Sequence, residues 1–198
     1  MIYFAVGVFC TLFFYQMTNR LHFIEPKLLP FGYVDSAAPF WPWSVWVYFL
    51  EYLMFWIAYF GLQDWENVTK YFLSYMAILA ISTVVFVVFP VTFPRETFGV
   101  EAYPESVSKT AILFLRNYMD TPANCLPSLH VSSCYISAFC FWKESRWKFV
   151  FLNVISTMVA ISTLTTKQHY FIDVWTAILL TMLCYWIFFH KISYSKKA

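Results

Sequence analysis

The chain has 198 residues, of which 61% are hydrophobic, 23% are aromatic and only 12% are charged. An ordinary soluble domain carries about 25% charged residues, so this composition excludes a water-soluble globular domain and indicates an integral membrane protein. The net charge of +2 gives no sign of nucleic-acid binding, and the five cysteines show no paired spacing such as C-x-x-C, so we assign them no redox or metal role.

Six apolar runs follow one another along the chain, and roughly 20 residues are enough to cross a bilayer as a helix. The runs lie at approximately 2–17, 44–62, 70–93, 126–142, 147–166 and 170–190. We interpret the first run as a span and not as a signal peptide, because it lacks a basic start and a small-residue cleavage site. The pattern predicts an all-α, polytopic membrane protein, a bundle of six transmembrane helices that forms a single membrane-embedded domain over residues 1–198.

Two longer connections separate the spans. Residues 20–43 contain four prolines and lead into the aromatic sequence FWPWSVW, which is typical of a membrane interface. Residues 95–125 include a predicted short amphipathic helix before the fourth span, whose apolar face comprises Val107, Ala111, Phe114, Leu115 and Tyr118. Such a helix either lies on the membrane surface or packs over the ends of the spans.

Three polar segments that are distant in sequence fall on the same side of the membrane if the chain crosses six times. They are FPVTFPRE (89–96), PSLH (127–130) and STLTTKQHYFIDV (162–174). Taken singly, each polar side chain has an ordinary explanation as a helix end or an interfacial anchor, but intramembrane ionisable groups are costly and usually mark a function. We therefore expect the following residues to be neighbours at one membrane face: Arg95, Ser128, His130, Lys167, His169 and Asp173.

The cations and the helix start in this set suit the binding of a phosphate ester. Arg95 and Lys167 supply positive charge, and an arginine can bind two phosphate oxygens at once. The backbone N–H groups at the start of the fourth helix, from Ser128 onward, form an anion site. Glu51, inside the second run, is also unexpected there, but the sequence names no partner for it.

The histidines suit phosphoryl transfer. His169 and Asp173 are four residues apart, so the carboxylate can hold one ring nitrogen protonated and leave the other free to attack phosphorus. His130, from a different span, then serves as the general acid. Two histidines and an aspartate also suit a metal ion, but the two cations of the cluster would repel it, so we predict neither a metal site nor another cofactor.

These motifs resemble the signature of the phosphatidic acid phosphatase type 2 superfamily of membrane lipid phosphatases and phosphotransferases. PSLH (127–130) is similar to its P-S-G-H motif, with Leu129 in place of glycine, and HYFID (169–173) matches its final H-x-x-x-D. Two positions depart from the common pattern. Thr163 stands where that pattern has an arginine, with Lys167 as the nearby cation, and the order Pro94-Arg95 reverses the usual Arg-Pro. The sequence K-x-H-Y-x-x-D looks closer to the branch that contains the inositol phosphorylceramide synthases.

The resemblance covers roughly residues 85–180 and implies a six-helix bundle, a phosphohistidine intermediate on His169, His130 as the acid and no metal. It predicts an enzyme whose substrate is a lipid phosphate or diphosphate within the bilayer. Two reactions share every motif: hydrolysis by water, and transfer of a phosphoryl or phospho-headgroup to a hydroxyl acceptor. We favour hydrolysis because the chain is small and shows no extra acceptor domain. A non-catalytic transporter or lipid-binding protein is the alternative of another class, and the combination of nucleophile, orienting acid and second histidine argues against it.

Lysines and arginines set the predicted orientation. Apart from Arg95 and Lys167, four of them fall on the side of the polar cluster and seven on the other side, mostly in KESRWK (143–148) and the tail KISYSKKA (191–198). The positive-inside rule therefore predicts a cytoplasmic C-terminus and an active site on the periplasmic or lumenal face.

Overall fold

The structure, a computed structural model, describes residues 2–21, 23–120 and 122–192. These ranges contain nine α-helices and two strands of two residues each, so the predicted α-helical class is confirmed. The helices are α1 Ile2–Arg20, α2 Tyr33–Ala37, α3 Val45–Tyr48, α4 Leu50–Gly61, α5 Trp65–Val88, α6 Val107–Phe114, α7 Leu129–Phe139, α8 Arg146–Thr165 and α9 Phe171–Trp186. The strands are β1 Lys27–Leu28 and β2 Val91–Thr92, and short 3₁₀ or π-helical turns include Pro42–Ser44, Leu115–Met119 and Ile187–Lys191.

Five helical segments of the described residues are long and apolar enough to cross a membrane. They are Ile2–Arg20, Pro42–Gly61, Trp65–Val88, Arg146–Thr165 and Phe171–Lys191, and they correspond to five of the six predicted runs. The fourth run, 126–142, contains only α7, whose 11 residues extend about 17 Å against a hydrocarbon core of about 30 Å. The predicted count of six spanning helices is therefore not confirmed.

The short helix α7 is surrounded by protein. Every residue from Leu129 to Cys134 is buried, so its neighbours and not lipid set which side chains it carries. Serines such as Ser132, which donates to the Ala177 carbonyl of α9, therefore need no lipid-facing apolar surface around them.

One end of the bundle, called here the site end, gathers the polar segments. β1 pairs with β2 in parallel register, with Lys27 opposite Val91, and Val91 also bridges to Asn124 just before α7. The Trp41 N–H donates to the carbonyl of Thr165, the last residue of α8, at 2.8 Å. The ends of α1, α5 and α8 and the starts of α7 and α9 therefore lie together.

The opposite end joins the remaining turns. The N–H of Gln63 donates to the Glu144 carboxylate at 3.0 Å, and the Lys148 ammonium donates to the Gly61 carbonyl at 3.0 Å. The chain thus runs from one end to the other through α7 despite the shortness of that helix. The predicted cytoplasmic C-terminus falls on residues 193–198, which lie outside the described residues, and the orientation stays a prediction.

Helix α6 and the π-helical turn after it occupy the predicted amphipathic segment, but their buried face differs from the predicted one. Ile112 and Leu115 are fully buried against α3, whereas Val107 is 73% exposed, and Phe114 and Tyr118 are exposed as well. The helix packs over the end of a span, because α3 offers an apolar surface to the side that carries Ile112. Of the five residues predicted for the apolar face, only Leu115 is fully buried.

Candidate active site

The start of α9 holds Asp173 in contact with His169. Because α9 begins at Phe171, His169 lies ahead of the helix and not on one of its faces. Asp173 Oδ2 accepts a hydrogen bond from the Tyr170 N–H at 2.8 Å, which caps the helix, and the same oxygen lies 3.2 Å from His169 Nδ1. The predicted contact between His169 and Asp173 is present, but it forms because Asp173 caps the start of α9 and not because the two residues share a helical face.

The imidazole of His169 is buried, and its two nitrogens have different partners. Nδ1 lies 3.1 Å from the carbonyl oxygen of Cys125 and 3.2 Å from Asp173 Oδ2. Both partners are acceptors, so Nδ1 carries a proton, and in the neutral form of the ring the lone pair then lies on Nε2. Nε2 lies 3.4 Å from His130 Nδ1. The tautomer that these contacts favour therefore directs the Nε2 lone pair toward the second histidine.

Ser128 starts α7 as its N-cap. The Ser128 Oγ accepts a hydrogen bond from the Val131 N–H at 3.4 Å, and its own N–H donates to the Asp173 carbonyl at 3.2 Å. The second bond ties the start of α7 to the start of α9. The Ser128 N–H, which we expected to face phosphate, is thus engaged by protein, and the anion site at this helix start depends on the N–H groups that follow it.

Small residues let α7 and α9 approach each other closely. Ser132 Oγ donates to the Ala177 carbonyl at 3.3 Å, and Thr181 Oγ1 donates to the Ser132 carbonyl at 3.4 Å. Small and hydroxylated residues are common at helix contacts in membranes for this reason. The packing fixes His130 relative to His169 across two elements that are 39 residues apart.

A carboxylate lies on the far side of His130. Glu51 Oε2 lies 3.6 Å from His130 Nε2, and Glu51 Oε1 accepts a hydrogen bond from Ser133 Oγ at 3.2 Å. The aromatic ring of Tyr48 lies 4.9 Å from the imidazole, centroid to centroid. The sequence singled out Glu51 without naming a partner, and the structure provides His130 and Ser133.

Arg95 forms a buried ion pair with Asp120. Arg95 Nη2 lies 2.9 Å from Asp120 Oδ2, Nη1 donates to the Asp120 carbonyl, and the Tyr15 hydroxyl donates to the same carboxylate. Burial has the largest single effect and would raise the pKa of Asp120, but the charge of Arg95, the nearby imidazole of His130 and the Tyr15 hydrogen bond together hold the pKa below its usual value. The pair is therefore ionised at neutral pH. Asp120, Glu51 and His130 line one cavity of about 310 Å³, which places the ion pair beside the histidines.

Asp120 was not predicted from the sequence to belong to the site. The available signal was an aspartate in a chain with few charges, but it lies in a connection, where acids are normally solvated. Only the fold shows that it is 3% exposed and that it faces both Arg95 and Tyr15.

Lys167 follows α8 in the left-handed region, with φ of 57°. The N–H of Gln168 donates to the Thr163 carbonyl at 2.9 Å, an arrangement of helix ends in which glycine is usual at the position of Lys167. A non-glycine residue in this backbone conformation costs about 1–2 kcal/mol of conformational free energy.

The Lys167 ammonium donates to the carbonyls of Ala38 at 2.6 Å and Asp35 at 3.1 Å. Among the contacts described by the structure, Lys167 has none with either imidazole.

A third cation joins the loops around the site. The Arg116 guanidinium donates to the Thr166 carbonyl at 3.2 Å and to the Arg95 carbonyl at 3.3 Å. Burial, and then the nearby charge of Arg95, lowers the pKa of Arg116 to about 10. Arg116 was not predicted from the sequence to belong to the site. Its guanidinium fixes the segment after β2 against the end of α8.

One group of side chains has metal-ligand composition. Atoms of Cys125, His169 and Asp173 lie within 4.8 Å of one another. The Cys125 thiol, however, donates to the carbonyls of Pro122 and Gln168, and burial raises the pKa of this thiol well above its usual value. Because a cysteine binds metal as the thiolate, this protonated thiol is a poor ligand and the group does not fit a metal ion well.

Comparison with known families gives one finding. A family model described as the PAP2 superfamily matches residues 33–187, well over half of the chain. The match includes the helices α2 to α9, together with His130 and His169, and α1 lies outside it. Comparison with curated proteins and with solved structures found no significant match.

Proposed function

The chain belongs to the PAP2 superfamily, and from that premise we propose that it is a membrane lipid phosphatase. It hydrolyses a phosphomonoester or diphosphate of a lipid through a phosphohistidine intermediate. The observation that carries the proposal is the hydrogen-bonded line Asp173–His169–His130, in which the contacts of His169 Nδ1 favour the tautomer with the lone pair on Nε2.

The proposed reaction has two steps. His169 Nε2 attacks phosphorus and the bond from phosphorus to the lipid oxygen breaks, while His130 gives a proton to that oxygen. Because burial lowers the pKa of His130 to about 3 in the resting protein, the proposed step requires His130 to take up this proton when the phosphate anion binds beside it. Water then attacks the phosphohistidine, His130 takes a proton from the water, and the P–N bond breaks to release phosphate. Asp173 stabilises the positive charge that develops on the His169 ring in the first step, as an orienting carboxylate does in other nucleophile–acid arrangements.

Phosphate binding requires two cations of the site to change partners. Arg95 is the proposed main contact, and it must share its guanidinium between Asp120 and the phosphate. Lys167 must release the carbonyls of Asp35 and Ala38. The N–H groups of Leu129 and His130, at the start of α7, are the proposed backbone donors to the anion. The two imidazoles lie 3.4 Å apart, so the phosphoryl group must also separate them as it enters.

The test is phosphate release from a panel of purified lipid phosphates and diphosphates, with and without candidate alcohol acceptors. We expect phosphate without an added acceptor, and we expect His169→Ala and His130→Ala to abolish it. His190→Ala is the matched control, because His190 is an exposed histidine at the opposite end of the α9 segment and should leave turnover unchanged.

Radiolabelled substrate adds a second readout, since only an enzyme with His169 should form a covalent, acid-labile phosphoenzyme. Full activity of both alanine variants would show that the proposed mechanism is wrong. If the phosphoryl group or phospho-headgroup is recovered only on an added alcohol, the protein is a phosphotransferase instead. Transfer to a hydroxyl acceptor is the other reaction that these motifs permit.

A further inference from the structure

Two adjoining cavities form a groove between α1 and α4. The upper cavity lies at the site end, the lower cavity lies deeper along both helices, and each has a volume of about 310 Å³. They adjoin each other, because they share five lining residues: Thr11, Leu12, Glu51, Tyr52 and Tyr75. The groove therefore begins at the candidate active site and runs into the apolar part of the bundle.

The chemistry of the groove changes along its length. The upper end is lined by polar groups that include Gln16, Asp120 and His130. Midway, Thr11 Oγ1 and Tyr75 Oη hydrogen-bond to each other at 2.7 Å, so these hydroxyls are satisfied within the protein. The lower end is apolar and is lined by Phe4, Val8, Phe55 and Trp56. A charged head at one end and a hydrocarbon chain at the other match this gradient.

The lower end of the groove is closed. A Cβ atom on Gly7 would lie only 2.8 Å from the Tyr59 hydroxyl and 3.3 Å from the Phe55 ring, so glycine is what lets α1 touch α4 there. The ring of Phe4 adds contacts to Trp56 and Phe60, at centroid distances of 4.5 and 5.3 Å. A chain that descends the groove meets this contact and can go no further.

The side of the groove is open. Leu12 on α1 and Trp56 on α4 are 60% and 52% exposed, although both line the groove. Because these helices are long and apolar enough to cross a membrane, the open side faces the bilayer and gives a lipid chain lateral access.

We propose that this groove receives a hydrocarbon chain of the substrate and limits its length to about one leaflet. From Gln16 to Phe4 the helix advances 12 residues, or about 18 Å, against a hydrocarbon core of about 30 Å. An acyl chain fits within this length, whereas a polyprenyl chain would have to leave the groove through its open side, so the substrate class is an acyl-chain lipid phosphate. The inference rests on the proposed function, and one of its two walls, α1, lies outside the family match.

The test is a pair of identical substitutions on α1. Val8→Phe fills the lower cavity, whereas Val6→Phe lies about 200° away around the helix on a partly exposed face that does not line the groove. With dioleoyl phosphatidate we expect Val8→Phe to lower kcat/KM at least about tenfold, as a filled apolar pocket does. With dihexanoyl phosphatidate we expect less than a twofold change, and Val6→Phe should match the unchanged chain on both substrates.

A second variant and a second readout keep the groove testable by itself. Leu12→Trp narrows the groove at an exposed position whose side chain the fold does not need, so it serves if Val8→Phe fails to fold. Phosphatidate with a photoreactive group at its chain end should label α1 or α4 near Phe4 and Trp56, even in His169→Ala, which binds without turnover.

The outcomes separate the two proposals. If no lipid phosphate releases phosphate but labelling maps to the groove, the proposed function is wrong and the groove stands. If turnover is normal while Val8→Phe affects both phosphatidates equally, or labelling maps elsewhere, the groove inference is wrong. Undecaprenyl phosphate turned over as well as dioleoyl phosphatidate would overturn the limit on chain length.

Discussion

Replacing Asp173 with asparagine separates the charge of this residue from its position. Asp173 Oδ2 accepts hydrogen bonds from the Tyr170 N–H and faces His169 Nδ1, while Oδ1 has no hydrogen-bond partner among the described residues. An amide can therefore keep its oxygen at the Oδ2 position and place its NH₂ group at the Oδ1 position. Asp173→Asn should fold normally and lose only the negative charge behind the nucleophile.

The expected loss of rate follows from the partners of His169. Where an orienting carboxylate alone fixes the histidine tautomer, its change to amide costs about ten-thousandfold. Here the Cys125 carbonyl, 3.1 Å from Nδ1, also holds that proton, so the tautomer survives. What remains is the difference between a charged and a neutral hydrogen bond, about 1–1.5 kcal/mol. Asp173→Asn should thus lower kcat about five- to thirteenfold.

The assay is phosphate release by purified protein, with thermal unfolding as the check on folding. Asp35→Asn is the matched control, because Asp35 Oδ1 accepts a hydrogen bond at 2.7 Å from the N–H of Phe171 at the same helix start. It removes the same charge nearby without touching His169 and should cost less than about threefold. Equal losses of kcat in both variants would mean that the loss of a nearby negative charge, and not the contact with His169, lowers the rate. A loss of kcat near ten-thousandfold in Asp173→Asn would refute the role given to the Cys125 carbonyl.

Two further predictions concern the carboxylates that the sequence did not explain. Asp120→Asn leaves Arg95 buried and unpaired, and we expect a loss of about 3–5 kcal/mol in the free energy of unfolding at neutral pH. Because Arg95 lowers the pKa of Asp120 in the folded state, this stabilisation is present above the unfolded value of about 3.9 and is lost as the pH falls further. Thermal unfolding followed from neutral to acid pH should show that loss in the unchanged chain and not in Asp120→Asn, and identical acid profiles would contradict it. Glu51→Gln should slow turnover of lipid phosphates about tenfold, since the carboxylate that positions His130 is removed. It should have little effect on p-nitrophenyl phosphate, whose leaving group needs no proton. Glu144→Gln, at the opposite end, is its control, and equal effects on both substrates would contradict the positioning role.

The long helices could be predicted from the sequence because hydropathy measures the length of an apolar run. The run 147–166 became Arg146–Thr165, and 170–190 became Phe171–Trp186 with its extension to Lys191. Run 126–142 became the 11 residues of α7, because hydropathy does not distinguish a segment buried in protein from one exposed to lipid. The buried face of α6 was wrong for a similar reason, since its partner α3 is some 60 residues away.

The candidate site likewise contains contacts that could be predicted from the sequence and contacts that could not. The spacing of His169 and Asp173 indicated a local contact, and local contacts can be read from sequence. Asp120 with Arg95, and Glu51 with His130, join residues 25 and 79 positions apart, and only the packing of α4, α7 and the loops brings them together. The directions of the side chains also escaped prediction, as with Lys167, whose ammonium turns to the carbonyls of α2. The catalytic roles of all these residues stay predictions.

Under the proposed function, the ion pair of Arg95 and Asp120 bears on how the protein distinguishes its lipid substrate from the phosphate that it would release. In the resting protein the guanidinium is already neutralised, so a free anion arriving from the aqueous phase gains little by entering. A lipid phosphate brings the binding free energy of its hydrocarbon tail, and that energy, obtained far from phosphorus, can be spent on opening the pair. Once the ester is cut, the anchor stays behind with the alcohol. The Asp120 carboxylate then competes with orthophosphate for the Arg95 guanidinium, and we therefore expect weak product inhibition by orthophosphate.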